Sequence, residues 1–508
     1  KNAICFHYLV ASWSIDGHFQ GFLTLELGPK WMPFLGRGSF YRLMLGTLKD
    51  PFFLFSSILG VERNLLDILL TLVQWMVTIL MMWTPEPSAS LAAIYIGCQI
   101  YRLITDVHGF LTEDGYMTFS LNVVLAHRYI VGPEGMVAGI QIYLLLLYFN
   151  CGFGKIAPWF SYAFAQEWAA VPAFAGNKFV QSLLYQDVDS EDYSITWLGH
   201  VGGFTAGFIE GSACFLTLVP VAWYGLWPLY TSTIIIAMHV YIVLHMPPFD
   251  VYIINVLPAY LFWLTNFVLS TGFAWDDYER MPSTLWFFFA TQAAIAFYGQ
   301  FFPDHVGYTF AYRFWTGNTP NGFFLIRDEA ALQKLHKQCN VRHRGRIGLL
   351  NHDAMQMLGP WNCKMISGVR IPTLYWQAMP CMKQVPALQK LALDHMGLDK
   401  LTDPAFICHG MTMNQFCFGI IFNDVLRTEV VLKHLQKKCE FESGDVVYVV
   451  ANSLPALSIV TDAKSTWKVV DLHDGVIAEG TSSISELLSY TKPSKSRSLY
   501  DRLKKRRS

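Results

Sequence analysis

From Asn64 to Trp83 the chain reads NLLDILLTLVQWMVTILMMW, with Asp67 as its one charged side chain. As a helix this run crosses the ~30 Å of hydrocarbon in a bilayer. Pro85 and Pro87 close it. SLAAIYIGCQIYRLI (90–104) follows as a shorter apolar helix. YMTFSLNVVLAHRYIV (116–131) is weaker and fits a re-entrant segment, and the stretch from Met136 to Phe153 is again strongly apolar. After an aromatic and acidic loop (157–196), spans are predicted near 198–219, 221–246, 251–273 and 283–302. In all, about seven or eight membrane segments are predicted.

The periodicity changes after Phe302. Residues 303–411 mix apolar and charged positions. QFCFGIIFN and GDVVYVVAN read as strands, VLRTEVVLKHLQKKC as an amphipathic helix, and TWKVVDLHDGVIAEG as a hairpin turning at Asp474-Gly475. The expected fold class is mainly α: a polytopic membrane helix bundle with a small C-terminal α/β domain. It comprises an interfacial segment (1–60), the bundle (61–302), a membrane-peripheral connector (303–411), the α/β domain (412–490) and a basic tail (491–508). The tail carries eight Lys/Arg against one Asp, which suits an anionic lipid surface or plain solvent.

Composition sharpens this picture. Hydrophobic residues make up 53% of the 508 and charged residues only 15%, against about 25% charged in soluble domains. A formal net charge of -1 argues against nucleic acid as a partner. Membrane lipids are the expected partners, with other membrane subunits as a second class. The ten cysteines form no CxxC pair, so no metal site is predicted and the thiols are expected to be free and mostly buried.

Within the predicted spans, GHVGGFTAGFIEG places Gly199, Gly203, Gly207 and Gly211 every four residues. On a helix this makes a groove that a second backbone can enter. His200 and Glu210 lie about 80° apart around that helix and about 15 Å apart along it, so neither completes a site without other helices. Glu210 needs a cation, a proton or a polar cavity, because a charge at membrane depth costs ~3 kcal/mol or more. In MHVYIVLHMPPFDVY, His239 and His245 lie about 240° apart around the axis and cannot chelate one ion. Pro247-Pro248 breaks the helix, leaving His245 and Asp250 beside the break. Lys155 follows an apolar run and a glycine-rich bend in YFNCGFGKIAPW. It reads either as an interfacial lysine or as a desolvated base.

The pieces GTLKDP (46–51), GFGKIAPWF (152–160), GHVGGFTAGFIEG (199–211), MHVYIVLHMPPFDVYIINV (238–256) and FFPDHVGYTFAYRFWTGN (301–318) occur in one order. In them the chain resembles an uncharacterised bacterial-type family of polytopic transmembrane proteins of unknown function. More distantly it resembles the membrane domain of vitamin K-dependent gamma-carboxylases, the horizontally transferred transmembrane (HTTM) group. That resemblance implies a helical membrane bundle followed by an α/β module, with Lys155 in a place comparable to the carboxylases' basic lysine. The residues around Lys155 differ from theirs, and carboxylase activity is not implied.

Two functions follow. One is a membrane enzyme acting on a lipid or isoprenoid-like substrate, with Lys155, His200, Glu210, His239 and Asp250 as candidate catalytic residues in one intramembrane pocket. The other is an accessory subunit of a membrane complex that binds lipid or pigment, with His245 as a candidate cofactor ligand. The sequence names no cofactor and no particular membrane; an organellar membrane is one of the candidates.

Overall fold

The computed structural model describes residues 65–84, 88–105, 113–156, 177–186, 195–216, 233–241, 281–306, 310–313, 321–339, 385–399, 439–451 and 464–483, with short pieces at 47–48, 62–63, within 160–168, 278–279, 407–409, 432–433, 435–437 and 455–456. The interfacial segment (apart from the pair Thr47–Leu48), the 251–273 span, His245, Asp250, the Pro247-Pro248 break, the QFCFGIIFN strand and the basic tail lie outside the described residues.

The chain divides into two compact units. The first comprises Lys1–Asn150, Glu210–Phe297 and Asn414–Phe422, and the second Cys151–Ile209, Tyr298–Met413 and Asn423–Ser508.

Four helices follow one another in the first half of the chain: α1 (Leu65–Trp83), α2 (Ala89–Thr105), α3 (Glu113–Ala126) and α4 (Arg128–Lys155). Helix α2 packs on both α1 and α3. The segment expected to be re-entrant contains α3, which ends at a turn on His127 before α4 begins. Within α4, Gly132 takes φ 66° ahead of Pro133, a left-handed conformation open to glycine. The stretch of α4 from Gly135 to Lys155 is long and apolar enough to cross a membrane, while 69–83 and 89–101 are shorter apolar helices. Further helices are α5 (Lys178–Leu184), α6 (Trp197–Leu216), α7 (Ser283–Phe301) and the short α8 (Pro303–Val306), with a helical run over 233–241.

In the first unit many apolar side chains face outward, and several polar ones join a largely apolar interior. On α1, Leu69, Leu72, Met76, Ile79 and Leu80 are exposed, while Thr71, Gln74 and Thr78 are buried. On α2, Ile94 and Ile100 are exposed and Gln99 is buried; on α7, Trp286, Phe287 and Ile295 are exposed and Gln292 is buried. A helix packed in a water-soluble protein shows the opposite arrangement. Apolar side chains outside and hydrogen-bonding side chains inside suit a surround of hydrocarbon.

In the second unit the chain forms a five-stranded antiparallel sheet in the order β4-β3-β5-β6-β7. Its strands are β3 (Asn321–Ile326), β4 (Ile407–His409), β5 (Val446–Ala451), β6 (Lys464–Asp471) and β7 (Gly475–Ser483); β1 (Thr47–Leu48) and β2 (Glu62–Arg63) are a separate short pair. Every residue of β5 from Val446 to Val450 is buried, as a central strand requires. Strands β3 and β4 come from residues 303–411, so the sheet begins well before the expected start of the α/β domain at 412. The hairpin expected at Asp474-Gly475 joins β6 to β7, with Gly475 at φ +89°. Helix α9 (Glu329–Cys339) is capped by Asp328, whose Oδ1 accepts the N–H of Ala331 at 2.9 Å. Helix α10 (Val385–His395) packs on β5 and β6.

Within the second unit, Gln300 near the end of α7 is held on two sides. Gln300 donates through Nε2 to the carbonyl of Ala311 at 2.7 Å, and its own main-chain carbonyl accepts the N–H of Ala456 at 2.6 Å. Arg313, fully buried, lies beside that same carbonyl. Next to this joint, Tyr298 and Phe302 stack at 4.6 Å with both rings exposed, and Tyr298 Oη is 2.7 Å from His305 Nδ1. Exposed aromatic rings at a helix end are the usual mark of a membrane–water boundary.

Candidate functional site

In the first unit the sharpest polar feature is a buried pair. Tyr148, on α4, places its Oη 2.6 Å from Nε2 of His239, on the helical run over 233–241. Their rings meet edge to face at 5.7 Å. The neighbours of His239 on the same run, Ile234 and Val240, are exposed. The histidine therefore turns inward from a helix whose apolar side chains face out. A phenol and an imidazole at this distance share one proton, and either ring can donate. Glu210 is also buried in this unit. Two further hydrogen bonds lie within this unit: Tyr278 Oη donates to Gln141 Oε1 at 3.3 Å, and Gln292 Nε2 to Ser120 Oγ at 2.7 Å. His239 was legible in the sequence as a histidine available to a neighbouring helix. Tyr148 was not, because a tyrosine in an apolar run carries no signal of its own.

Lys155 and His200 belong to the second unit. Lys155 is buried, and its ammonium lies 5.5 Å from the centre of the Phe160 ring. The glycine groove on α6 accounts for that burial. A Cβ on Gly207 would meet Lys155 Cβ at 2.8 Å and its carbonyl oxygen at 3.2 Å. One turn earlier, a Cβ on Gly203 would come within 2.6 Å of Ser161 Cα, and a Cβ on Gly202 within 2.4 Å of the Phe164 ring. The four-residue glycine spacing thus does what it predicts: a second stretch of backbone lies in the groove. His200 is half-buried, and its main-chain carbonyl faces Ser161 Oγ at 3.4 Å.

These features describe a membrane-adapted interior, and residues 100–495 match a family described as transmembrane proteins of unknown function, DUF3556. The chain belongs to this family. No curated protein and no solved structure matches it. The DUF3556 match covers the helices from α3 onward and the whole five-stranded sheet. The second cluster of polar residues in this DUF3556 chain therefore belongs to the family region as well.

That cluster lies where α10 meets the β6–β7 hairpin. His395 Nε2 is 3.1 Å from Asp471 Oδ2 and 3.6 Å from Asp474 Oδ2. One ligand atom from each of these residues falls within 4.8 Å of the others, a spacing that suits a metal ion. The hydrogen bonds give Asp471 a different task. Its Oδ2 accepts the N–H of Gly444, and its Oδ1 accepts the N–H groups of His473 and Asp474. With His395 added, both oxygens are fully engaged, and the carboxylate organises two loops at once. Beside it, Asp445 is buried between Arg327 and Lys334, the latter at 2.8 Å, and accepts the N–H of Glu442. The only sequence hint of this cluster was the Asp474-Gly475 turn.

His473 Nδ1 lies 2.7 Å from Asp474 Oδ1 on the solvent-exposed rim. The hydrogen bond to Asp474 raises the imidazole above its ordinary 6.5. The hydroxyl of Ser443, followed by His473, holds the Asp474 carboxyl below its ordinary 3.8. The histidine's contribution is complete below pH 6.5 and is lost as pH rises through the raised value. The carboxylate's contribution is complete above pH 3.8 and is lost as pH falls through the lowered value. The pair is thus fully formed between these limits. An NMR titration should place the His473 midpoint above 6.5 and return it toward that value in Asp474→Asn. A midpoint at or below 6.5 in the unaltered chain would contradict the contact.

Proposed function

We propose that this DUF3556 chain is a multi-span membrane protein whose first unit admits the polar end of a lipid-like or isoprenoid-like amphiphile and handles a proton there through Tyr148 and His239. The observation that carries this is the buried Tyr148–His239 hydrogen bond in a unit that turns many apolar side chains outward. A bundle with no polar ligand has little reason to keep glutamines and a histidine in its interior, since each must find a partner there. Glu210 shares this unit and would set the charge of the pair. Lys155, His200, Asp250 and His245 enter as further candidates, and kinship with the HTTM bundle belongs to the same proposal, supported by Lys155 and the order of the motifs.

The test is lipid retention. Chain purified in mild detergent should carry a bound amphiphile visible by native mass spectrometry and extraction. His239→Ala should lower its occupancy about tenfold, the equivalent of about 1.4 kcal/mol. Tyr148→Phe keeps the ring and removes the hydroxyl, and should shift the pH dependence of retention more than its extent. Unchanged retention in His239→Ala, or no specific lipid in the unaltered protein, would sink the reading.

The accessory-subunit reading draws on a different surface. Phe204 and Phe208 stack at 6.4 Å on the exposed side of α6, next to exposed Val201 and Leu198. Such a strip packs against acyl chains or against the helix of another membrane protein. A homogeneous monomer that retains lipid in nanodiscs would favour the first reading over this one.

A further inference from the structure

The expectation of no metal site rests on cysteine spacing, and the cluster at the end of α10 uses no thiol. His395 Nε2 faces Asp471 Oδ2 at 3.1 Å and Asp474 Oδ2 at 3.6 Å. The three residues come from three places in the second unit: the last residue of α10, the last residue of β6 and the turn before β7. Their ligand atoms all lie within 4.8 Å of one another. A tetrahedral ion with bonds of about 2.0–2.1 Å holds its ligand atoms about 3.3 Å apart. The two distances from His395 bracket that value.

The charges point the same way. Arg327 and Lys334 are both paired with Asp445, and Arg327 also with Asp328. Among the described residues no lysine or arginine pairs with Asp471 or Asp474; their ionic partners are the imidazoles of His395 and His473. The Asp471 side chain is 0% exposed. A carboxylate taken out of water needs strong donors or a cation. The N–H groups of Gly444, His473 and Asp474 take three of its four lone pairs. The fourth, on Oδ2, faces His395.

Asp474 is the adjustable ligand. It sits in the hairpin turn with its side chain 41% exposed, and its Oδ2 accepts the Ser443 hydroxyl and keeps a second lone pair for an ion. Water has access from that side to complete the coordination. One imidazole nitrogen with two carboxylate oxygens suits zinc or a similar transition metal, whereas magnesium and calcium prefer oxygen ligands throughout.

We propose that His395, Asp471 and Asp474 bind one divalent transition-metal ion, zinc by preference, which takes the place of the His395–Asp471 hydrogen bond and ties the end of α10 to the β6–β7 hairpin. The inference is independent of the reading given for the first unit.

The experiment uses the full chain in detergent, stripped with EDTA and titrated with zinc chloride in metal-free buffer. Calorimetry and elemental analysis should find one zinc bound per chain. His395→Ala and Asp474→Asn leave the three main-chain bonds of Asp471 in place, and each should weaken zinc binding at least tenfold. Zinc should slow amide exchange in the 440–445 loop and the β6–β7 hairpin of the unaltered chain, and should not do so in His395→Ala. Cobalt in place of zinc should give d–d bands without a thiolate charge-transfer band, which separates this site from the buried Cys439 nearby in sequence. If a variant does not fold, the exchange and cobalt measurements on the unaltered chain still decide the matter. No zinc retained above the buffer level, equal binding in the variants, hairpin exchange that ignores zinc, or a thiolate band would overturn the proposal.

Discussion

Gly203→Leu is expected to destroy the packing of α6 in the second unit. The first atom a Cβ meets there is Ser161 Cα, at 2.6 Å, with Ser161 N at 3.0 Å. These are backbone atoms and cannot swing aside as a flexible side chain can. Even Gly203→Ala must push one main chain away from another, and an overpacking cost of about 2 kcal/mol is expected. Leucine adds three more carbons to the same gap, and about 4 kcal/mol or outright failure to fold is expected. Gly97 on α2 supplies the control, because nothing lies within 4 Å of a Cβ built there. Gly97→Ala should hold or raise the melting temperature, worth up to about 1 kcal/mol through helix propensity. Thermal unfolding of the three variants in one detergent tests the ordering. A Gly203→Leu protein that melts with the parent would show that the groove is empty.

The second large effect is expected at Asp471. This carboxylate accepts three main-chain N–H groups, from Gly444, His473 and Asp474, and its side chain is wholly buried. Asp471→Ala would leave those donors and His395 without their acceptor. At about 1 kcal/mol for each donor that water cannot reach and less for those on the rim, a loss of about 3 kcal/mol is expected. The effect should appear as early exchange of amides in the β6–β7 hairpin and the 440–445 loop. His395→Ala removes only one of the four bonds and should cost about 1 kcal/mol. Equal losses in the two variants would place the importance of this cluster at His395, contrary to the hydrogen bonds.

Much of this fold was legible because its signals are local. The apolar run ending at Trp83, the four-residue glycine period and the Asp-Gly turn each fix a conformation within a few residues, and each is found where its pattern places it. The expected count of membrane segments rests on longer stretches, several of which lie outside the described residues, and Gly135–Lys155 is the described span that is both long and apolar enough. The partners of the site residues were not legible. His239 pairs with Tyr148, ninety-one positions away, and no spacing rule links the two. The same is true of β3, whose NGFFLI looks like one more apolar fragment until its register with β5 makes it an inner strand of the sheet. Lys155 was visible as a lysine near a bend, but its burial depends on a glycine fifty-two residues on, where the absence of a side chain makes the space.

The pairing of β3 with β5 also sets a timetable for synthesis. Ile326 finds Val446 and Asn321 finds Ala451 only after more than a hundred intervening residues have left the ribosome. Until then β3 has only the three-residue β4 to pair with on one side, and its other edge is open. The carbonyl of Gln300 likewise waits for Ala456. Residues 446–483 therefore close the sheet, and Ala456 secures the end of a helix made long before it. A chain cut short before residue 456 lacks β6, β7 and the N–H that holds that helix end.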